Sequence, residues 1–179
     1  DEEKPFTALN QEEHQNPEGL FNHETGFGWE SYLLTRLDSE INRAIASEID
    51  LSLFIIQLPS LPRTSELVKH VCNYLSIQFQ FKDLLFELND DCLVAMKISM
   101  DIDEALNLSD KIYADIKNII QNNECFIGIS SRSIRMVSGE RLLHEAQEAL
   151  LHAKDDKDSP IIAFRVDAEK YRQFLEQNQ

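Results

Sequence analysis

Leu84-Leu85-Phe86-Glu87-Leu88-Asn89-Asp90-Asp91-Cys92-Leu93-Val94-Ala95-Met96 reads as two short apolar strands joined by a tight acidic turn. The flanking Leu, Phe and Val residues suit a buried sheet, whereas Asn and Asp favour turns. The spacing predicts strands near 83–88 and 92–98, with Asn89-Asp90 as the turn. Such a turn either carries chemistry or merely connects strands. Its side chains, together with those of the strand at 51–58, decide which.

Upstream, Leu51 to Leu58 (LSLFIIQL) is a nearly continuous apolar run. It is too short for a typical helix and suits a central strand covered on both faces. Pro59 and Pro62 close it, and a helix over about 63–76 follows with Leu67, Val71 and Leu75 inward. Earlier still, Leu33, Leu37, Ile41 and Ile45 recur every four positions and predict a helix over 29–48. Downstream, a helix over 101–121 starts at Asp101 or Asp103 and buries Ala105, Leu108, Ile112, Ile116 and Ile119. A strand at 124–130 leads to a helix over 138–154 with Leu142, Ala146, Ala149 and Ala153 inward. A charged turn at 155–159, a strand at 160–166 and a terminal helix over 168–177 complete the order. A hairpin set among crossover helices predicts an α+β fold. It is ferredoxin-like, a mixed, largely antiparallel sheet of about five strands flanked by helices.

Residues 1–19 are polar and acidic, with Pro5 and Pro17, and read as a flexible N-terminal linker. The domain proper is expected over 20–166, with a helical tail at 167–179. Seventeen Lys and Arg stand against 32 Asp and Glu, a formal charge of -15. That field opposes nucleic acid and anionic membranes as partners. No apolar run reaches the roughly 18 residues of a membrane span, so no direct insertion is expected. Cys72, Cys92 and Cys125 are odd in number and far apart, as in a reducing cytoplasm, and read as half-buried thiols. The chain begins at Asp1 rather than Met, as a piece of a longer, membrane-tethered protein would.

Several landmarks together resemble the GGDEF domain of bacterial diguanylate cyclases, over about residues 20–166. Thr25-Gly26-Phe27 is similar to that family's Thr-Gly-Leu, and Leu53-Phe54-Ile55-Ile56 to its first core strand. Asp83 precedes the hairpin as the family's Asp does. Phe126-Ile127-Gly128-Ile129-Ser130 resembles its Ser-Ile-Gly-Ile strand. The run from Leu142 to Lys154 resembles its Leu-Leu-x-x-Ala-x-x-Ala-Leu-x-x-Ala-Lys helix. The resemblance implies the ferredoxin-like fold and a chemistry that joins two GTP molecules into cyclic di-GMP across a dimer. Active relatives use magnesium, held by carboxylates of the first strand and the Gly-Gly-Asp-Glu-Phe hairpin.

This sequence departs from that pattern where the chemistry lies. Gln57 stands in place of the strand carboxylate, and an amide oxygen is a poorer magnesium partner. Asn89 and Asp90 replace both glycines, whose missing side chains let a nucleotide approach the backbone. Asp91 keeps its position, but Cys92 replaces the Glu, and a soft thiol does not suit magnesium. Pro59 and Pro62 fall where phosphates would be cradled. The product-binding Arg-x-x-Asp motif reads Gln80-Phe81-Lys82-Asp83, so its guanidinium fork is gone. Losing one charge-stabilising group costs about a hundredfold to a thousandfold in rate, and here several are missing together.

Other candidates are weaker. Lys154 resembles a phosphate-contacting lysine, although a cation near a helix C-terminus needs no ligand to explain it. His144 and His152 lie eight residues apart on one helix, too far to share a metal unaided. Trp29 reads as an anchor for the first helix. Arg132, Arg135 and Arg141 read as a solvated basic loop, with a partner or anion contact as the sharper alternative. The expectation is a catalytically inactive domain with no cofactor, acting as a regulatory or protein-interaction module. Its partners would be an attached sensor domain, another protein or a second copy. The alternatives are a non-catalytic effector that binds GTP or cyclic di-GMP, and an active cyclase with a rewired site.

Overall fold

The computed structural model describes residues 19–81, 84–156, 158–166, 172–173 and 176–177. Asp83 of the expected product-binding motif lies outside them, as do most of the linker at 1–19 and of the tail at 167–179. The main elements are α1 (Leu33–Ala46), β1 (Leu51–Gln57), α2 (Glu66–Phe79), β2 (Leu85–Leu88) and β3 (Cys92–Ile98). They continue with α3 (Ile102–Ile120), β4 (Phe126–Ser131), α4 (Gly139–Asp155) and β5 (Ile161–Ala163). The sheet order is β2-β3-β1-β4-β5. The first four strands pair antiparallel, and β5 runs parallel to β4. This is the ferredoxin-like order with one strand added at the edge.

Every residue of β1 is buried, because helices cover both faces of the sheet. Alternation along the strand sends Phe54 and Ile56 to one core and Leu51, Leu53 and Ile55 to the other. The first core also holds Val71, Cys72 and Leu75 of α2 with Ile112 and Ile116 of α3. The second holds Leu33, Leu37 and Ile41 of α1 with Leu142, Ala146 and Leu150 of α4. Gly128 of β4 lets α4 come this close. A Cβ there would stand 2.4 Å from the Ala146 carbonyl oxygen.

Local chemistry sets the helix starts. Ser65, Asp101 and Ser138 cap α2, α3 and α4, each accepting a backbone N–H from the first turn. The second helix begins and ends three residues later than 63–76, because Ser65 rather than Pro62 starts it. A short 3-10 turn, Glu30–Tyr32, precedes α1, so the expected 29–48 helix divides into two pieces. Leu108 and Ile119 sit at the margin of α3, whose buried stripe runs through Ser109 and Ile120 instead. The N-terminal loop also adds to the sheet: Gly28 bridges Phe21 and, in parallel, Phe86 of edge strand β2. No helix among the described residues is long and apolar enough to cross a membrane.

Candidate functional site

Strands β2 and β3 end opposite one another at Leu88 and Cys92, so the hairpin turn is the three residues 89–91 rather than Asn89-Asp90 alone. Asn89 takes a φ of 50°, a left-handed conformation that Asn tolerates better than most residues. Its N–H donates to Glu30 Oε2 at 3.2 Å. Asn89 and Asp90 are exposed at the tip, whereas Asp91 turns inward.

Cross-strand register places Gln57 beside Cys92. Gln57 Nε2 donates to Asp91 Oδ2 at 2.8 Å, and Cys92 Sγ donates to Asp91 Oδ1 at 3.4 Å. The structure therefore brings Gln57, Asp91 and Cys92 together, with the carboxylate already engaged by both neighbours. Burial, the Asp91 charge and their hydrogen bond push the Cys92 thiol up to about 12, from an ordinary 9.0. It is a protonated donor at neutral pH, not a thiolate ligand. The Gln57 amide oxygen is buried and has no hydrogen-bond partner among the described residues. Among those residues, no three His, Cys, Asp or Glu side chains gather as a metal ion would need.

The adjoining cleft is almost filled. Leu58, Leu61, Arg63, Val68, Asp90, Asp91 and Leu93 line a space of about 10 Å³. That is roughly the minimum for a single water. Arg63 does much of the closing. Its Nη2 donates to the carbonyls of Leu88 (3.3 Å) and Cys92 (3.0 Å), on either side of the turn. Its Nη1 pairs with Glu87 at 3.2 Å. Glu87 is buried inside the sheet edge and accepts further bonds from Asn22 Nδ2 (2.9 Å) and Thr25 Oγ1 (2.6 Å). Four donors thus tie the N-terminal loop, the loop after β1 and the hairpin into one cluster. The sequence reading missed both Glu87 and Arg63. The signal was present, since a lone Glu inside the apolar run LLFEL requires a partner if the strand is buried.

Lys154, exposed in the last turn of α4, stays close to the cluster, since its charge acts on Cys92. With Lys117, Tyr113 and Phe126 it lines a cavity of about 450 Å³, and Phe126 is the register partner of Gln57. The other candidates lie apart. Gln80 is exposed after α2 with a φ of 61°. His144 pairs with Glu148 at 2.9 Å. All three cysteines are buried rather than half-buried. The basic loop is also corrected, because Arg132 and Arg135 are buried. Arg135 makes two bonds to Glu145, at 2.9 and 2.6 Å, and donates to the Ser131 and Arg132 carbonyls. These arginines brace the start of α4 and are not a solvated patch.

No protein-family model matches the chain. An uncharacterized protein of Treponema pallidum (strain Nichols) is 42% identical over 89 residues, and the chain spans about half the length of that relative. Among solved structures, the GGDEF domain of DgcB from Caulobacter crescentus, in complex with c-di-GMP, superposes with a TM-score of 0.71 at 11% identity. That match covers 83% of this chain and 95% of the other. The FimX GGDEF domain from Pseudomonas aeruginosa gives 0.64 at 14% identity, covering 81% and 99%. The active GGEEF domain of a diguanylate cyclase from Vibrio cholerae gives 0.60 at 17%, covering 76% and 97%. By sheet order, helix placement and these superpositions, the chain has the fold of GGDEF domains.

Proposed function

We propose that this domain is a catalytically inactive GGDEF-like module of cyclic di-GMP signalling, working through regulation or protein interaction. The observation that carries the reading is the state of Asp91. This carboxylate, at the meeting point of β1 and the hairpin, is engaged by the Gln57 amide and the Cys92 thiol. Magnesium takes hard oxygen ligands in near-octahedral array. One occupied carboxylate, one amide oxygen and a protonated thiol do not fit it. The narrow cleft supports the same reading. The space of about 10 Å³ behind Asp90 and Asp91 is itself too small for a nucleotide, and Asp90 would repel phosphates placed against the turn.

The core, by contrast, is intact. Capped helices, an alternating sheet and two filled cores agree with one another, as expected of a chain still selected to fold. A stable scaffold with an altered site suits a domain that works by contact. The test is incubation of the protein with GTP and magnesium, followed by chromatography for cyclic di-GMP. No product above a no-protein control is expected, and steady turnover would overturn the reading.

A further inference from the structure

Ile134 and Met136 have the highest exposure of the large apolar side chains among the described residues, 84% and 78%, on the loop between β4 and α4. Arg135 braces that loop by bonding back to the Ser131 and Arg132 carbonyls. Ile134 takes a left-handed φ of 62°, an outlier for a β-branched residue. Leu20 and Phe21, at 58% and 36%, differ from these two in bordering a recess. Their backbone is held in place. The Leu20 carbonyl accepts the Trp29 N–H at 3.2 Å, and Phe21 bridges Gly28. Gly28 in turn donates to the Leu85 carbonyl and accepts from the Glu87 N–H, both at 2.9 Å. A Cβ at Gly28 would stand 2.7 Å from the Phe86 ring, so a glycine is what lets this loop lie against the ring.

The recess is an apolar cavity of about 280 Å³. Leu20, Phe21, Gly28 and Phe86 form one wall, and Thr35 and Ser39 of α1 form another. Exposed apolar side chains around a recess mark an interaction site. We propose that the cavity receives the chain's own N-terminal segment, with the side chains of Phe6 and Leu9 seated in it. The site shares no lining residue with the Gln57, Asp91 and Cys92 cluster. It goes beyond the inactivity reading and does not depend on it.

Position, composition and size favour that occupant. The described chain begins at Gly19, immediately before the wall residue Leu20. Gly19 takes a φ of 79° within a turn, which suits a reversal of the chain. Of the residues before it, Phe6 and Leu9 carry the only large apolar side chains. They stand three apart, the interval at which side chains meet on one side of a turn. The stretch from Asn10 to Glu18 spans at most about 30 Å when extended, ample to bring Leu9 back beside Leu20. So short a tether raises the segment's effective concentration to the millimolar range, and modest contacts then suffice. Another protein would have to supply the same two side chains without the tether. An apolar cavity of about 150 Å³ holds benzene. This one therefore has room for the Phe6 ring and the Leu9 isobutyl group together.

Paramagnetic broadening of amide signals in the full chain tests the proposal. All three native cysteines are buried, so a nitroxide can be attached at Thr7→Cys alone. It should broaden the signals of Thr35, Ser39 and Phe86 beyond detection and leave those of α3, on the other face of the sheet, sharp. Adding Phe6→Ser/Leu9→Ser should restore the three signals. Ser39→Arg, which fills the cavity from the exposed side of α1, should restore those of Thr35 and Phe86. Broadening spread evenly over α1 and α3, or broadening that survives both variants, would overturn the docking. A mixture of spin-labelled chains with isotope-labelled chains that carry no nitroxide checks the occupant. No broadening between chains is expected, and its appearance would overturn the proposal in favour of a second copy's segment. None of these results touches the inactivity reading, which GTP turnover tests separately.

Discussion

Two ends of the molecule use one device for opposite results. At the hairpin end, Arg63 pairs with buried Glu87 and donates to the Leu88 and Cys92 carbonyls. At the far end of the sheet, Arg135 pairs with buried Glu145 and donates to the Ser131 and Arg132 carbonyls. The first pair draws a turn inward and closes a cleft. The second fixes a loop outward and exposes Ile134 and Met136. The difference teaches that an Arg–Glu pair in this fold sets backbone geometry, and that the neighbouring side chains decide whether the result is a closed or a projecting surface.

The broadest way to stress that comparison is alkaline pH. Burial pushes Cys72, Cys92 and Cys125 up to about 12 from 9.0, and none of them lies at the Arg135 end. Their folded values lie above their unfolded ones. The associated stability is therefore complete below about pH 9 and lost as pH rises toward 12. With all three thiols in play, stability should fall by roughly 4 kcal/mol per pH unit across that window. Urea melts at pH 8, 9 and 10 would register it. A flat profile would mean the thiols are open to solvent.

Breaking each Arg–Glu pair ranks next. Arg135→Ala leaves the carboxylate of Glu145, almost wholly buried, with only Arg141 at 3.1 Å. A loss of about 3 kcal/mol is expected by chemical denaturation. Arg63→Ala should cost less, about 2 kcal/mol, because Arg63 is partly exposed and Glu87 keeps Asn22 and Thr25. Amide exchange sharpens the contrast. Arg63→Ala should speed exchange at the hairpin and leave β4 protected, and equal changes at both would contradict separate roles. The smallest effect is expected at Ile134→Gly. Relief of the left-handed strain, offset by glycine's added chain entropy, should stabilise the fold by about 1 kcal/mol. A thermal melt would read that gain as a small rise in Tm.

Much of this was legible in the sequence. The hairpin strands fall at 85–88 and 92–98, close to expectation, because two short apolar runs either side of an Asn-Asp turn leave few other readings. The inward face of α4 is as expected at Leu142, Ala146, Ala149 and Ala153, since a helical period determines it. Departures at Gln57, Asn89, Asp90 and Cys92 were also visible as letters. What was hidden was pairing across long separations. Glu87 lies 62 residues from Thr25 and 24 from Arg63, and no local pattern announces either contact. The basic loop misled for the same reason. Arg135 looks solvated until Glu145, ten residues on in α4, folds back to it, and Arg132 is buried beside it, donating to the Arg135 carbonyl.

The central claim is that the meeting point of Gln57, Asp91 and Cys92 no longer grips a metal–nucleotide pair. Isothermal titration of magnesium with GTP into the protein addresses it without depending on turnover. The account predicts no saturable heat at millimolar nucleotide. Stoichiometric, magnesium-dependent binding that Asp91→Asn abolishes would contradict it.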